Sequence, residues 1–145
     1  MSLYSLSQRT TATAVNTPSW EIRSAATNKP RLLELGISQN SAAGGVYGLG
    51  RPGSIGVTPT APQNFVQESD AGASVALTTA CVAWGTAPTA PSFFNRKSDP
   101  NSAVIGSGII WSFPRGVDIP ASSSLVIWLI FGPSPVCDVW AVIDE

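Results

Sequence analysis

Leu125 to Phe131 is apolar at every position. As a strand it presents Leu125, Ile127, Leu129 and Phe131 on one face and Val126, Trp128 and Ile130 on the other. Trp20-Glu21-Ile22-Arg23 alternates apolar and charged residues, the pattern of a half-buried strand. In Arg31 to Ser38, Leu33, Leu35 and Ile37 share one side and Leu32 and Glu34 the other. Gly36 and β-branched Ile37 favour strand over a short helix there. Further strands are predicted at Asn64–Val66, Ser74–Trp84, Phe93–Lys97, Val104–Phe113, Ser123–Phe131 and Val136–Ile143. Turn signals separate them, among them Thr86–Pro91, Asp99–Ser102 and Gly132–Pro135.

Seven or eight short strands with no convincing helix predict an all-β chain. The expected architecture is a jelly-roll-like antiparallel β-sandwich over residues 20–145. Residues 1–19 are rich in Ser and Thr and show little periodicity. They read as an extended N-terminal arm, with Tyr4 and Leu6 as isolated apolar anchors and Arg9 as its one charge. Residues 40–63 hold many of the glycines and prolines and read as a long loop. Tyr47, Leu49 and Arg51 inside it suggest a contact surface.

A strand in a two-sheet sandwich has one face in the core and one in water. The second face of Leu125–Phe131 therefore needs a cover, either the chain's own loops or a neighbouring subunit. Trp140 and Val142 against Val139 and Ile143, and Trp111 against Ile110, repeat the pattern. A neighbouring subunit is the favoured cover, with Val126, Trp128, Ile130 and Trp140 as the candidate oligomer interface. Composition points the same way. Only 12% of residues are charged while 43% are apolar, against about 25% charged in ordinary soluble domains.

The net charge of −1 comes with no basic block, which argues against nucleic-acid binding. No run approaches the roughly 20 apolar residues of a membrane span. The first fifteen residues carry no signal-peptide pattern, and the two cysteines stand apart, as in a protein made in a reducing cytoplasm.

Histidine is absent, which removes Ser-His and Cys-His nucleophile pairs and the commonest metal ligand. Cys81 and Cys137 sit alone in apolar strands and read as small buried hydrophobes, although a disulfide between them stays open. The acids are scattered; Glu68 and Asp70 read as a solvated pair in one turn. The glycines of Gly44 to Gly53 do not open a helix after a strand, so they form no phosphate loop. The expectation is a protein that is not an enzyme and needs no cofactor or metal.

Several segments carry a resemblance: Glu21-Ile22-Arg23, Lys29 to Ile37, Gly48-Leu49-Gly50-Arg51-Pro52, Gly56 to Thr60, Val82 to Thr86, Ile110 to Gly116, Ile119-Pro120-Ala121, and Val136 to Glu145. Across residues 20–145 the chain resembles small head proteins of tailed bacteriophages, the decoration or cement proteins of capsids. The resemblance implies a jelly-roll-like homo-oligomer, most simply a trimer, that binds across major capsid protein subunits on the outer surface of the virion. Tyr4, Leu6, Arg9, Tyr47 and Arg51 are the expected capsid contacts. An alternative is a trimeric receptor- or glycan-binding head domain of a phage fibre, with Trp20 or Phe93-Phe94 as an aromatic platform. A cupin-type enzyme would need a histidine cluster the chain does not have.

Overall fold

Short runs that alternate apolar with small polar residues, broken by Gly and Pro, give a chain of strands. The computed structural model describes residues 2–12, 14–68, 74–98, 104–133 and 135–145. Among them are twelve strands and no helix: β1 (Leu3–Arg9), β2 (Thr17–Arg23), β3 (Arg31–Gln39), β4 (Val46–Gly50), β5 (Val57–Pro59), β6 (Gln63–Gln67), β7 (Val75–Cys81), β8 (Trp84–Thr86), β9 (Arg96–Ser98), β10 (Gly108–Asp118), β11 (Ser124–Phe131) and β12 (Cys137–Asp144).

Ten strands form one antiparallel sheet in the order β10-β3-β12-β1-β6-β7-β2-β11-β4-β9; β5 and β8 pair separately. The sheet folds over on itself as a sandwich close to a barrel. Its two edge strands meet where the Arg96 guanidinium of β9 lies 5.1 Å from the centre of the Phe113 ring of β10. Arg51 braces the same seam by donating to the Asp118 carbonyl at 2.6 Å. Inside, Leu35 and Ile37 of β3 and Val139, Ala141 and Ile143 of β12 line one wall. Trp20 and Ile22 of β2, Leu125, Ile127 and Leu129 of β11, and Tyr47 and Leu49 of β4 line the other, with Phe65 near Trp20. The all-β antiparallel expectation is met.

Three local expectations change. Residues 1–19 do not form a free arm. Leu3–Arg9 pairs along its whole length with β12, and Tyr4 and Ser5 also pair with β6, so β1 lies inside the sheet. Tyr4 and Leu6 pack against the core, and the Gln8 side chain accepts the Trp20 indole N–H at 2.6 Å. Residues 40–63 are not one loop, because they contain β4, β5 and the first residue of β6. In β3, Leu32 and Leu35 both reach the core, although they are three apart. Leu33 is a bulge residue of β3, lying between the pairs Glu34–Val142 and Leu32–Ile143, and it is left half-buried. The Asp99–Ser102 turn lies outside the described residues, and so does Asp70.

Candidate interaction surface

The second face of β11 is covered by its own chain. Val126 and Trp128 are buried, and Glu21, opposite Val126 on β2, is 0% exposed. The Glu21 carboxylate is the centre of this cover. One oxygen accepts the Gly56 backbone N–H at 3.0 Å and the Ser124 hydroxyl at 2.7 Å. The other accepts the Trp84 indole N–H at 2.6 Å and a longer bond from Arg23 at 3.4 Å. Arg23 also donates to the Gly56 carbonyl at 2.7 Å. The β5–β8 pair and the Gly56 segment are thereby pinned onto the sheet's outer face. A buried carboxylate is tolerable because its acceptor positions are filled. Further along, Phe94 and Ile130 converge over Gly48, where an added Cβ would lie 2.5 Å from the Phe94 ring. Trp128 donates its indole N–H to Asn16 at 3.0 Å.

The residues singled out in the sequence are therefore dispersed. Val126 and Trp128 are unavailable as an open interface, and Ile130 is half-buried beside Phe94. Trp140 lies on the outer face of the other half-sheet. It packs flat over Gly36, where an added Cβ would be 1.9 Å from the indole, and donates to Glu34 at 3.3 Å. Tyr47 is not a surface contact: it is buried, and its hydroxyl shares a 3.1 Å hydrogen bond with the Cys137 thiol. Burial pushes both groups' pKa values up, together with their mutual hydrogen bond in the case of Tyr47. Arg51 is half-buried at the seam. Arg9 is exposed and forms a two-pronged ion pair with Asp138 (2.7 and 2.9 Å), directly opposite it on β12. That hydrogen bonding holds the Asp138 carboxyl below its usual range.

Cys81 and Cys137 are both free and buried. Burial pushes the Cys81 thiol up to about 12, and the Glu21 charge beside it adds to the shift. Among the described residues no three His, Cys, Asp or Glu side chains gather as a metal site.

Large apolar side chains stand exposed at several places, among them Phe131, Phe93 and Ile110, and several gather in one strip. On the outer face of β1, β6 and β7, Leu3, Val66, Val75 and Leu77 stand in water, with Val75 62% and Leu77 57% exposed. Val66 sits opposite both Ser5 and Val75, and Ser5 sits opposite Val142 of β12, so the strip continues across four adjacent strands. Its polar members are Ser5, Ser7, Thr79 and, opposite Thr79, Asn64, with Glu68 beside Leu3 at its end. A signal for it was present in the chain. Val75, Leu77 and Thr79 alternate with Ala76, Thr78 and Ala80, so the run has a bulky face and a small-residue face. The small-residue face is the one in the core. Comparison with protein-family models, with curated proteins and with solved structures returned no match. The surface must therefore be read on its own chemistry.

Proposed function

We propose that this chain is a structural assembly module that self-associates and decorates a phage capsid, binding across major capsid protein subunits on the outside of the virion. The observation that carries this reading is the exposed apolar strip of Leu3, Val66, Val75 and Leu77. Fully burying one such side chain contributes roughly 1.5–3 kcal/mol; these four are already about half buried, so covering what remains gives about 3–6 kcal/mol together. Association costs about 4–15 kcal/mol in lost freedom. One strip thus holds a partner only marginally, and a symmetric oligomer such as a trimer, engaging several subunits at once, gains the rest through effective concentration. The capsid as partner is supported by the resemblance of residues 20–145 to phage head proteins.

The test is sedimentation of the intact chain alone and with purified capsids. The wild type is expected to sediment as an oligomer and to load onto capsids, and Val75→Lys with Leu77→Lys to do neither while keeping its β-sheet circular dichroism. A wild-type chain that stays a 15.1 kDa monomer at micromolar concentration and ignores capsids removes the proposal. The fibre-head alternative keeps one support: Phe93 is 66% exposed beside Asn95, whereas Trp20 is wholly buried and drops out as a platform. Glycan binding that is lost in Phe93→Ala would favour that reading.

A further inference from the structure

We infer that the β5–β8 flap is a latched lid: it lifts from the sheet as one unit, without unfolding the strands beneath it, and uncovers the outer face at Glu21 and Cys81. The flap comprises residues 53–62 and 84–90. Of these only Gly56 and Pro88 are buried, with Pro59 and Trp84 half-buried. Its aliphatic side chains Ile55 and Val57 are 37% and 57% exposed. The flap therefore gains little from apolar burial, which is one mark of a segment that opens locally.

Its bonds fall into two sets. One set lies within the flap. Val57 pairs with Thr86 and Pro59 with Trp84. The Ser54 N–H donates to the Thr89 hydroxyl at 2.7 Å, and the Thr89 N–H donates to the Ser54 carbonyl at 3.1 Å. The Trp84 ring packs over Gly56, where an added Cβ would lie 2.2 Å from it. These contacts keep the flap whole when it moves. The other set ties flap to sheet, and among the described residues its side-chain bonds converge on Glu21 and Arg23. Glu21 accepts the Gly56 N–H and the Trp84 indole N–H, and Arg23 donates to the Gly56 carbonyl. Both ends of the flap stay tethered, at the Pro52–Pro91 bridge and where the Thr60 N–H bonds the Ala83 carbonyl. Release of the latch thus bows the flap outward rather than detaching it.

Two features lower the cost of opening. Thr58 and Ala61 sit at φ 51° and 45°, in the left-handed region that suits glycine and suits β-branched threonine least. Bowing lets both relax. The latch is also a desolvated charge, and opening returns the Glu21 carboxylate to water, which offsets part of the bonds broken. Cys81 lies under the flap: it is buried, its thiol is 3.9 Å from the Glu21 carboxylate, and it stands outside the inner core cluster. Its reactivity therefore reports whether this face is uncovered. The inference does not rest on the assembly reading and shares no residue with the exposed strip.

Native-state hydrogen exchange on the intact chain, followed by NMR in urea below the unfolding transition, tests the lid. The Gly56 amide and the Trp84 indole N–H are expected to share one opening constant. It should exceed that of the Val126 to Leu129 amides by about a hundredfold or more, with a shallower urea dependence. In a Cys137→Ala chain, a disulfide reagent is expected to modify Cys81 with that same shallow dependence. Glu21→Gln breaks the latch and is expected to raise the opening constant of Gly56 and Trp84 by about tenfold or more, while the β11 amides stay protected. The inference is overturned if Gly56 and Trp84 exchange only together with β11, or if their opening constants differ. It is equally overturned if Cys81 reacts only at the rate of global unfolding, or if Glu21→Gln leaves the flap's exchange unchanged. Should either variant fail to fold, the wild-type contrast between the flap and β11 decides.

Discussion

The Glu21 carboxylate of β2 accepts the indole N–H of Trp84, on β8, at 2.6 Å, joining the main sheet to the two-stranded flap that covers it. That bond is one of five contacts on a fully buried charge, the others coming from the Gly56 N–H, the Ser124 hydroxyl, Arg23 and, at 3.9 Å, the Cys81 thiol. Removing the carboxylate strands the Trp84, Arg23 and Ser124 donors together. Glu21→Ala is expected to cost about 3 kcal/mol or more, and Trp84→Phe, which removes a single donor, about 1.5–3 kcal/mol. Urea unfolding measures both. If Glu21→Ala unfolds at the wild-type midpoint, the flap is not held by this carboxylate.

Gly36 and Trp140 form a second fixed pair. Any side chain at position 36 displaces the indole, and overpacking of this kind costs about 1–3 kcal/mol. Gly36→Ala is expected to lower the thermal midpoint, and Trp140→Leu in the same chain to restore part of the loss. A double-mutant cycle with no coupling between the two positions contradicts the packing described.

Removing residues 2–9 is expected to yield insoluble protein rather than a soluble domain without its arm. The deletion takes a strand out of the sheet's interior and leaves facing edges on β12 and β6 unpaired. Soluble expression and circular dichroism read the outcome. A folded, monodisperse deletion variant would show that β1 is dispensable.

The buried thiols set a pH dependence. An unfolded Cys81 ionises near 9.0, the folded one only near about 12. Between those values the unfolded chain has lost a proton that the folded chain keeps, so stability falls as pH rises through that window and is fully present below it. Cys137, also raised, acts in the same direction. Cys81→Ala is expected to flatten the decline in unfolding free energy between pH 9 and 11, relative to wild type. Native protein is also expected to react with a disulfide reagent only as fast as it opens, because the thiols are protonated and buried.

Strands were readable where bulk hydrophobicity was continuous, as in β11 and β12. β1 was hidden because only Tyr4 and Leu6 are large and apolar, and its inward Gln8 matters through one hydrogen bond to Trp20. β4 was hidden among glycines, which are required where Phe94 and Ile130 press onto Gly48. The doubly apolar character of β11 was correctly read as needing a cover. The cover's origin was not legible, because Glu21 collects Gly56, Trp84 and Ser124 from distant parts of the chain. The exposed strip was missed for the reverse reason. Its bulky residues lie on β7, whose small residues Ala76 and Ala80 suffice to fill the core beneath.

The position of β1 has a further consequence for how the molecule is made. Its long partner is β12, so Leu3 pairs with Asp144 across nearly the whole chain, and the Glu145 side chain then accepts the Leu77 and Thr78 backbone N–H groups of β7. β1 leaves the ribosome long before β12 and must wait for it. Until then β1, β6 and β7 have no closed sheet to join, and their exposed valines and leucines are open to other nascent chains. Closure of so many long-range pairs is slow, and chaperone demand during synthesis should scale with that delay.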